Sequence, residues 1–404
     1  MTCMRRSTLA AALLTAGTAL AAQSAAEWQD VIRHLRHPDA RTRIGALERL
    51  GDAGYAAAAE PASALLADSE DAVQAAAIDA GLSFFLADRM GGSRVLGIGR
   101  SRSRAQEAFE AGPLVRNAVP APPVLVDRLT AAIRDENDRI RFDAVHALGF
   151  IATPPLTTAQ VEAIAAELDH YDPIIRAATA RVLGRLHGRS AIDALLVALE
   201  DSNLLVRQFA LEALGRLREP RVLGAARTHA ASGGGDLAET ARLAVARVGA
   251  PEDVPRLREW LSDRDAAARR SAAEGLGRAG DTESMAVLED MVRTDRSPAV
   301  RLAARFALEL LGQTQTHLLA AAAVGDTAEQ AHEYLFEIGR RAVPGIQAAL
   351  EVATDPRHQA GLAQLVGYLG GRGDIVIVEP LLTSGEERVR WAATAAIERL
   401  QRLP

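Results

Sequence analysis

A short motif recurs along this chain, and its spacing limits the folds that 404 residues of this kind can adopt. In the motif an aliphatic residue precedes an arginine, and a glycine follows that arginine eight residues later. The segment around Arg176 and Gly184 superimposes without a gap on the segment around Arg207 and Gly215, 31 residues further along. A fixed period of this length is typical of repeat arrays, in which each unit packs against its neighbours.

Complete or weakened copies of the motif are found along most of the chain. We call its arginine the frame arginine, and the seven frame arginines are Arg43, Arg141, Arg176, Arg207, Arg269, Arg301 and Arg390. The glycines of the clearest copies are Gly149, Gly184, Gly215, Gly249 and Gly277, at intervals of 35, 31, 34 and 28 residues. We interpret the unequal intervals as insertions and deletions in the loops of one kind of repeat.

Residues 191–218 show the content of a single unit. Ile192, Leu195 and Leu199 share one face of a helix, and the polar turn at 201–203 precedes a second apolar stripe. Only 4% of the chain is aromatic, whereas the helix-forming residues alanine, leucine, arginine and glutamate are abundant. Because one helical hairpin cannot bury its stripe alone, the sequence predicts an all-α fold, an α-solenoid wound as a right-handed superhelix of about 10–11 helical hairpins.

The motif and its spacing resemble the HEAT-repeat family, in particular the short HEAT-like repeats of about 31 residues known from phycobilin lyases. The resemblance extends from about Glu27 to the end of the chain. It implies that the seven frame arginines form a structural ladder with acidic residues of the turns, at Asp39, Asp135, Asp172, Asp201, Asp263 and Asp295. It implies no particular activity, because this scaffold carries many unrelated functions.

The first 21 residues have the pattern of a secretory signal peptide. Arg5 and Arg6 form a basic head, an apolar run follows, and Ala19 and Ala21 provide a small-residue cleavage pattern. We therefore expect a periplasmic or secreted protein after cleavage near Ala21, without a membrane-spanning segment in the mature chain. Cys3, the one cysteine of the sequence, would be removed, so the mature chain could not use a thiol nucleophile.

The repeat pattern is interrupted between residues 83 and 122. We predict N-terminal repeats at 27–82, an irregular Gly/Arg/Pro-rich insertion at 83–122 and the main solenoid at 123–404. The stretch 89–104 holds five arginines and no acid: Arg89, Arg94, Arg100, Arg102 and Arg104. Two interpretations stay open, a basic loop that captures an anionic group through the last three of these arginines, or a solvated mobile loop. The aromatic residues Phe84, Phe85 and Phe109 could form a small core that ties this segment to the solenoid.

No catalytic or metal-binding constellation is evident. The pair His332-Glu333 resembles the deoxyhypusine hydroxylase family, HEAT-repeat di-iron enzymes, but that family needs several such pairs and this sequence has one. His34 and His37 could share a metal, yet no third ligand is apparent. The net charge of −6 argues against a general nucleic-acid binder. We therefore predict no enzyme, no metal, no cofactor and no nucleic-acid partner.

A binding surface is the remaining candidate. The first, fourth, fifth and ninth positions after each frame arginine face one side of the second helices, and we call them the inner strip. Its predicted binding residues are Phe142, His146, Phe150, Arg181, Arg185, Arg216, Arg270 and Arg278, with Glu212 and Glu274 between them. Ordinary helix-surface ion pairs four residues apart explain the charged members equally well.

The sequence thus predicts an exported, non-catalytic scaffold or adaptor that binds a protein or peptide partner. The alternative is a small-ligand-binding protein or an enzyme that uses the 83–122 insertion as a lid.

Overall fold

The protein is an all-α solenoid, which confirms the predicted fold class. The computed structural model describes residues 28–86, 102–117, 119–231 and 235–403, and no β-strand occurs within these ranges. The predicted signal peptide lies outside the described residues, as do Arg89, Arg94 and Arg100 of the insertion. Nowhere in the described ranges is a helix both long enough and apolar enough to span a bilayer.

Eleven helical hairpins follow one another along the described chain, and one further helix, α5, stands outside this pairing. In chain order the helices are α1 (28–34), α2 (Ala40–Asp52), α3 (Ala59–Ser63), α4 (Asp71–Phe85), α5 (Arg104–Ala111), α6 (Pro123–Ala132), α7 (Asp138–Ile151), α8 (Thr158–Ala165), α9 (Pro173–Arg185), α10 (Ile192–Ala198), α11 (Leu204–Arg216), α12 (Leu223–Ala231), α13 (Asp236–Val248), α14 (Val254–Trp260), α15 (Ala266–Ala279), α16 (Met285–Thr294), α17 (Pro298–Leu310), α18 (Thr316–Ala321), α19 (Ala328–Ile338), α20 (Val343–Val352), α21 (Pro356–Leu369), α22 (Ile375–Val378) and α23 (Glu387–Gln401).

Polar residues in the turns determine where the second helices begin. Asp172, Asn203 and Asp265 each accept a hydrogen bond from a backbone amide in the first turn of α9, α11 and α15, respectively. Such caps satisfy amides that have no partner inside the helix, and each contributes about 0.5–2 kcal/mol. The turn at 201–203 that the sequence predicted is therefore the start of α11.

The chain forms two compact units. Within the described ranges, unit 1 comprises residues 28–86, 102–110 and 120–151, and unit 2 comprises residues 111–117, 119, 152–231 and 235–403. The segment 83–122 is less irregular than the sequence predicted, because α4 continues to Phe85 and α5 lies within it. Phe84, Phe85 and Phe109 are fully buried.

Small residues let successive second helices of unit 2 approach closely. A β-carbon on Gly184 would lie 2.7 Å from the α-carbon of Ala213, and one on Gly215 would lie 2.9 Å from that of Ala244. In α11 the motif glycine, Gly215, lies two residues after Ala213, the residue that the preceding helix approaches. The same position in α13, two residues after Ala244, is occupied by Ala246. The sequence assignment of Gly249 to this position is wrong, because Gly249 ends α13 in the left-handed conformation, with φ of 62°.

The corrected positions are 184, 215, 246 and 277, so the repeat spacing from α9 to α15 is a constant 31 residues. Any residue that recurs at this interval occupies the same place on successive second helices, and it forms a column along the stack.

Candidate binding surface

Three frame arginines join the turn of their own repeat to the turn of the next. Arg176 forms two hydrogen bonds to the carboxylate of Asp201, at 2.7 and 2.9 Å, and it also donates to the carbonyl of His170. Arg269 binds Asp295 in the same way, at 2.8 and 3.0 Å. The third pair, Arg43 with Asp68, has a single bond of 2.7 Å. The guanidinium groups of these three arginines therefore bind turn residues within the protein and have a structural role.

The other frame arginines also point to turns. Arg141, Arg207, Arg301 and Arg390 each donate to a carbonyl oxygen of the turn before their own helix at 2.7 Å. In α4 the frame position holds Gln74, which donates to Asp135 at 3.0 Å.

Two of the predicted ladder acids have another role. Asp39 accepts from the amide of Thr42 and Asp172 from that of Ile174, so both cap helices because they stand at the N-cap position.

In unit 1 the inner strip is covered by α5. His146 and Phe150, two of the predicted binding residues, are only 2% and 4% exposed, so they are buried and do not form a contact surface. The ring of Phe109 meets the ring of His146 edge-on, with centroids 5.5 Å apart, and His146 bonds to the carbonyl of Phe142. Arg104, at the start of α5, donates to the inner-strip residue Ser83 of α4 at 2.7 Å.

Two arginines of the basic segment around the start of α5 make contacts that hold this helix. Arg102 forms an ion pair with Glu110 of α5, with a distance of 2.5 Å. Arg102 and Arg104 therefore contribute to the position of α5 on unit 1, whereas Arg100 lies outside the described residues.

In unit 2 the inner strip carries a column of four arginines, one on each of α9, α11, α13 and α15. We call Arg185, Arg216, Arg247 and Arg278 the arginine column, and successive members are 31 residues apart. The sequence analysis missed Arg247, because α13 has Ala238 where the other three helices have a frame arginine. The constant interval between the arginines was the signal that could have found it.

Helix α19 lies against three members of this column through two glutamates. Glu333 accepts a hydrogen bond from Arg216 at 3.1 Å and lies 3.8 Å from Arg247. Glu337 is bound by Arg278 through two hydrogen bonds of 2.9 Å, and it also pairs with Arg218.

A buried polar cluster anchors α19 beside the Arg278 end of the column. The ring of Tyr334 stacks on that of Phe306 with centroids 4.1 Å apart, and its hydroxyl donates to Glu274 at 2.5 Å. Burial alone would raise the pKa of Glu274, but Arg278 and Arg270 outweigh it and hold this pKa at about 2. At the Arg278 end of the column, the positive charges of the arginines are therefore balanced by buried and half-buried carboxylates.

At the opposite end of the column, Arg181, Arg185 and Arg216 lie close enough to affect one another's charge. Burial, followed by the nearby charges of Arg216 and Arg181, lowers the pKa of Arg185 to about 10. Glu212 and Glu329 act in the other direction, and their effect is smaller. The guanidinium of Arg181 lies over the ring of Phe209, 5.2 Å from its centroid. A carboxylate placed here would relieve the repulsion among these arginines.

Comparisons with known proteins agree with this architecture. A family model for HEAT repeats matches residues 161–246 and 235–309. Deoxyhypusine hydroxylase from Gallus gallus is 30% identical over 220 residues, which cover 52% of this chain and 69% of that protein. This chain belongs to the HEAT-repeat family. Deoxyhypusine hydroxylase from Danio rerio is 28% identical over 240 residues, or 54% of this HEAT-repeat chain and 73% of the relative. A phycocyanin lyase complex from Nostoc is a structural neighbour at 20% identity, with a TM-score of 0.37 over 61% of this chain and 96% of that chain.

The relatives correct one prediction from the sequence. Both curated relatives are hydroxylases, so the prediction that this HEAT-repeat protein is not an enzyme is contradicted, at 28% and 30% identity. The comparison also directs attention to the pair His332-Glu333, which the sequence analysis had set aside.

The residues around this pair do not fit a di-iron centre. Glu333 is engaged by Arg216 and Arg247. The buried Nε2 of His332 has no hydrogen-bond partner and could ligate one metal ion, but a di-iron centre needs several such ligands. Burial lowers the pKa of His332, which keeps its imidazole neutral. Among the residues that the structure describes, no three His, Cys, Asp or Glu side chains are grouped so that they could hold a metal ion.

Proposed function

We propose that unit 2 of this HEAT-repeat protein binds an acidic segment of a protein partner at the end of the arginine column formed by Arg181 and Arg185. HEAT repeats commonly mediate protein interactions, and their second helices present a continuous surface for them. The observation that carries the proposal is the crowding of Arg181, Arg185 and Arg216, whose mutual repulsion an added anion would reduce.

The chemistry of these side chains favours carboxylates as the bound groups. A guanidinium offers two parallel N–H groups to a carboxylate, and such charge-assisted bonds contribute about 1.5–3 kcal/mol each when partly buried. Arg181 is positioned for this by its contact with Phe209, and Arg185 is half-buried within the same surface. Desolvation of this kind strengthens an ion pair relative to one in water.

Binding of a labelled acidic peptide to the full chain tests this proposal. A fluorescein-labelled decaglutamate peptide and fluorescence anisotropy provide a defined probe. We expect the double variant Arg181→Ala/Arg185→Ala to bind at least tenfold more weakly than the wild type, and we expect binding to weaken as salt is raised.

The matched control is Arg293→Ala, which removes an arginine that is 71% exposed and paired with Asp290 on α16. This variant should bind like the wild type. Equal affinity of the double variant and the wild type would refute the proposed site.

Export is a separate proposal, supported by the signal-peptide pattern of residues 1–21. Residues 1–30 fused to an alkaline phosphatase that lacks its own signal should give active enzyme outside the cytoplasm of a bacterial host. The change Leu13→Arg interrupts the apolar run and should abolish this activity. Activity that survives this change, or its absence from the unaltered fusion, would refute the export proposal.

A further inference from the structure

We infer that α19 is an internal ligand of the arginine column and that it occupies the place of a partner helix whose acidic residues recur every four positions. The inference rests on the proposed function, because it extends the proposed recognition of acidic groups from Arg181 and Arg185 along the rest of the arginine column. The surface concerned is the inner strip of α11, α13 and α15.

The spacing of charges on the two sides supports this inference. Glu329, Glu333 and Glu337 are four residues apart, so they lie on one face of α19 at a rise of about 6 Å per step. Successive column arginines stand on helices that pack ~8–10 Å apart. The long arginine side chains span the difference, and Glu333 meets two column members at once. A regular row of acids thus faces a regular row of arginines.

Helix α19 is held differently from the other second helices of unit 2. It packs on α17 far less extensively than α15 does. Its N-cap residue, Thr327, makes no side-chain capping bond, as is also the case in α13 and α23, whereas Ser297 and Asp355 cap α17 and α21. Gly325 and Gly339 flank the helix with φ of 81° and 67°, a left-handed backbone that allows sharp changes of direction. Because its packing on α17 is sparse, α19 is held chiefly by the contacts of its own faces, which include the buried side chains of Ala331, Leu335 and Ile338.

Those contacts define what a competing helix must offer. The side chains of Glu333 and Glu337 are still 35% and 22% exposed, so solvent reaches the ion pairs. Tyr334 is buried against Phe306, and on another side of the helix Phe336 meets Tyr368 edge-on. The fitting partner is therefore an amphipathic helix with acids at intervals of four and an aromatic residue directly after the middle acid.

A peptide with the sequence of residues 326–339 is a direct probe of this surface. A tethered helix competes at an effective concentration in the millimolar range, so the labelled peptide should bind the wild-type full chain weakly. The variant Glu329→Gln/Glu333→Gln/Glu337→Gln weakens the internal competitor, and it should bind the peptide at least tenfold more tightly. A peptide with the same three changes is the control, and it should bind neither protein.

Hydrogen exchange on the unaltered protein gives an independent readout. Excess peptide should accelerate amide exchange in residues 328–338, because they are displaced, and it should leave residues 104–111 of α5 unchanged. If the triple variant does not fold, Glu329→Gln replaces it in the binding assay, with a smaller gain in affinity expected because this glutamate is exposed.

The two proposals fail in different ways. An unchanged affinity of the folded variant together with unchanged or slower exchange in α19 overturns the inference, even if decaglutamate binds at Arg181 and Arg185. If decaglutamate does not bind the wild type, the proposed function fails, and exchange of the peptide with α19 would still support an internal ligand.

Discussion

Each unit of the protein carries one helix against its inner strip, and the two helices differ in what accompanies their apolar contacts. In unit 1, α5 buries Ala105, Ala108 and Phe109, and the ring of Phe109 meets His146 of α7. In unit 2, α19 also buries apolar side chains, at Tyr334, Leu335 and Ile338, and in addition it presents a row of glutamates to the arginine column. The inner strip of unit 1 is therefore held mainly by apolar contacts, whereas that of unit 2 combines apolar contacts with a row of ion pairs.

The difference separates a structural cover from a surface suited to recognition. Apolar burial stabilises in proportion to area and is insensitive to salt, so α5 is part of the core of unit 1. Ion pairs that remain partly exposed add little stability, but they fix the register between two surfaces and weaken with salt. The buried side chains of α19 hold this helix as those of α5 do, so the part of α19 that is suited to recognition is its row of glutamates.

The largest expected effect concerns the apolar cover. Phe109 has no exposed surface, so Phe109→Ala should lower the free energy of unfolding by about 3–5 kcal/mol through lost burial and a cavity. Urea unfolding followed by hydrogen exchange measures this, with the loss confined to peptides of unit 1. The control Val287→Ala, at a side chain that is 50% exposed, should change stability by less than about 0.5 kcal/mol. A loss below 1 kcal/mol for Phe109→Ala would contradict a core role for α5.

A second prediction concerns the buried anchor of α19. Glu274 has a pKa of about 2 in the folded chain against an ordinary 4.5, so its ionised form favours the fold. This contribution is complete above about pH 4.5 and is lost as the pH falls toward 2, and it amounts to about 3 kcal/mol.

The variant Glu274→Gln cannot ionise and leaves Arg270 and Arg278 without their shared carboxylate. We expect it to be less stable than the wild type at pH 7 and to show a shallower loss of stability between pH 4.5 and 2. Urea midpoints across this range measure both effects. A wild type and variant with parallel pH profiles would show that Glu274 does not have this depressed pKa.

Local patterns were sufficient to predict most of the fold. The 31-residue period, the apolar stripes and the polar turn residues act within one hairpin or between neighbours, and these are the interactions that build a solenoid. The position of Arg185, Arg216 and Arg278 on one strip follows from the same periodicity. The error at Gly249 arose because a helix-ending glycine stood three residues from the true position, which alanine fills.

The packing of α5 and α19 against the inner strips could not be predicted from such local patterns. The burial of His146 and Phe150 depends on α5, which lies more than thirty residues earlier in the chain. The second ion pair of Arg216 depends on α19, which is 117 residues from it at Glu333. Contacts at such separations leave no periodic trace in the sequence, whereas the pairs four residues apart that the sequence suggested, Glu212 with Arg216 and Glu274 with Arg278, are present at 3.0 and 3.1 Å.

The smallest expected effect would sharpen the contrast between the two covers. Glu333 and Arg216 have side chains about one third exposed, so the change Glu333→Gln should lower stability at low salt by only about 0.5 kcal/mol. Because a Debye length of about 10 Å at 0.1 M shortens to about 3 Å at 1 M, this difference should disappear at 1 M NaCl, whereas the effect of Phe109→Ala should persist. Thermal unfolding of both variants at the two salt concentrations tests this. A salt-independent loss of several kcal/mol for Glu333→Gln would mean that the carboxylate is a core element, and it would place α19 in the same class as α5.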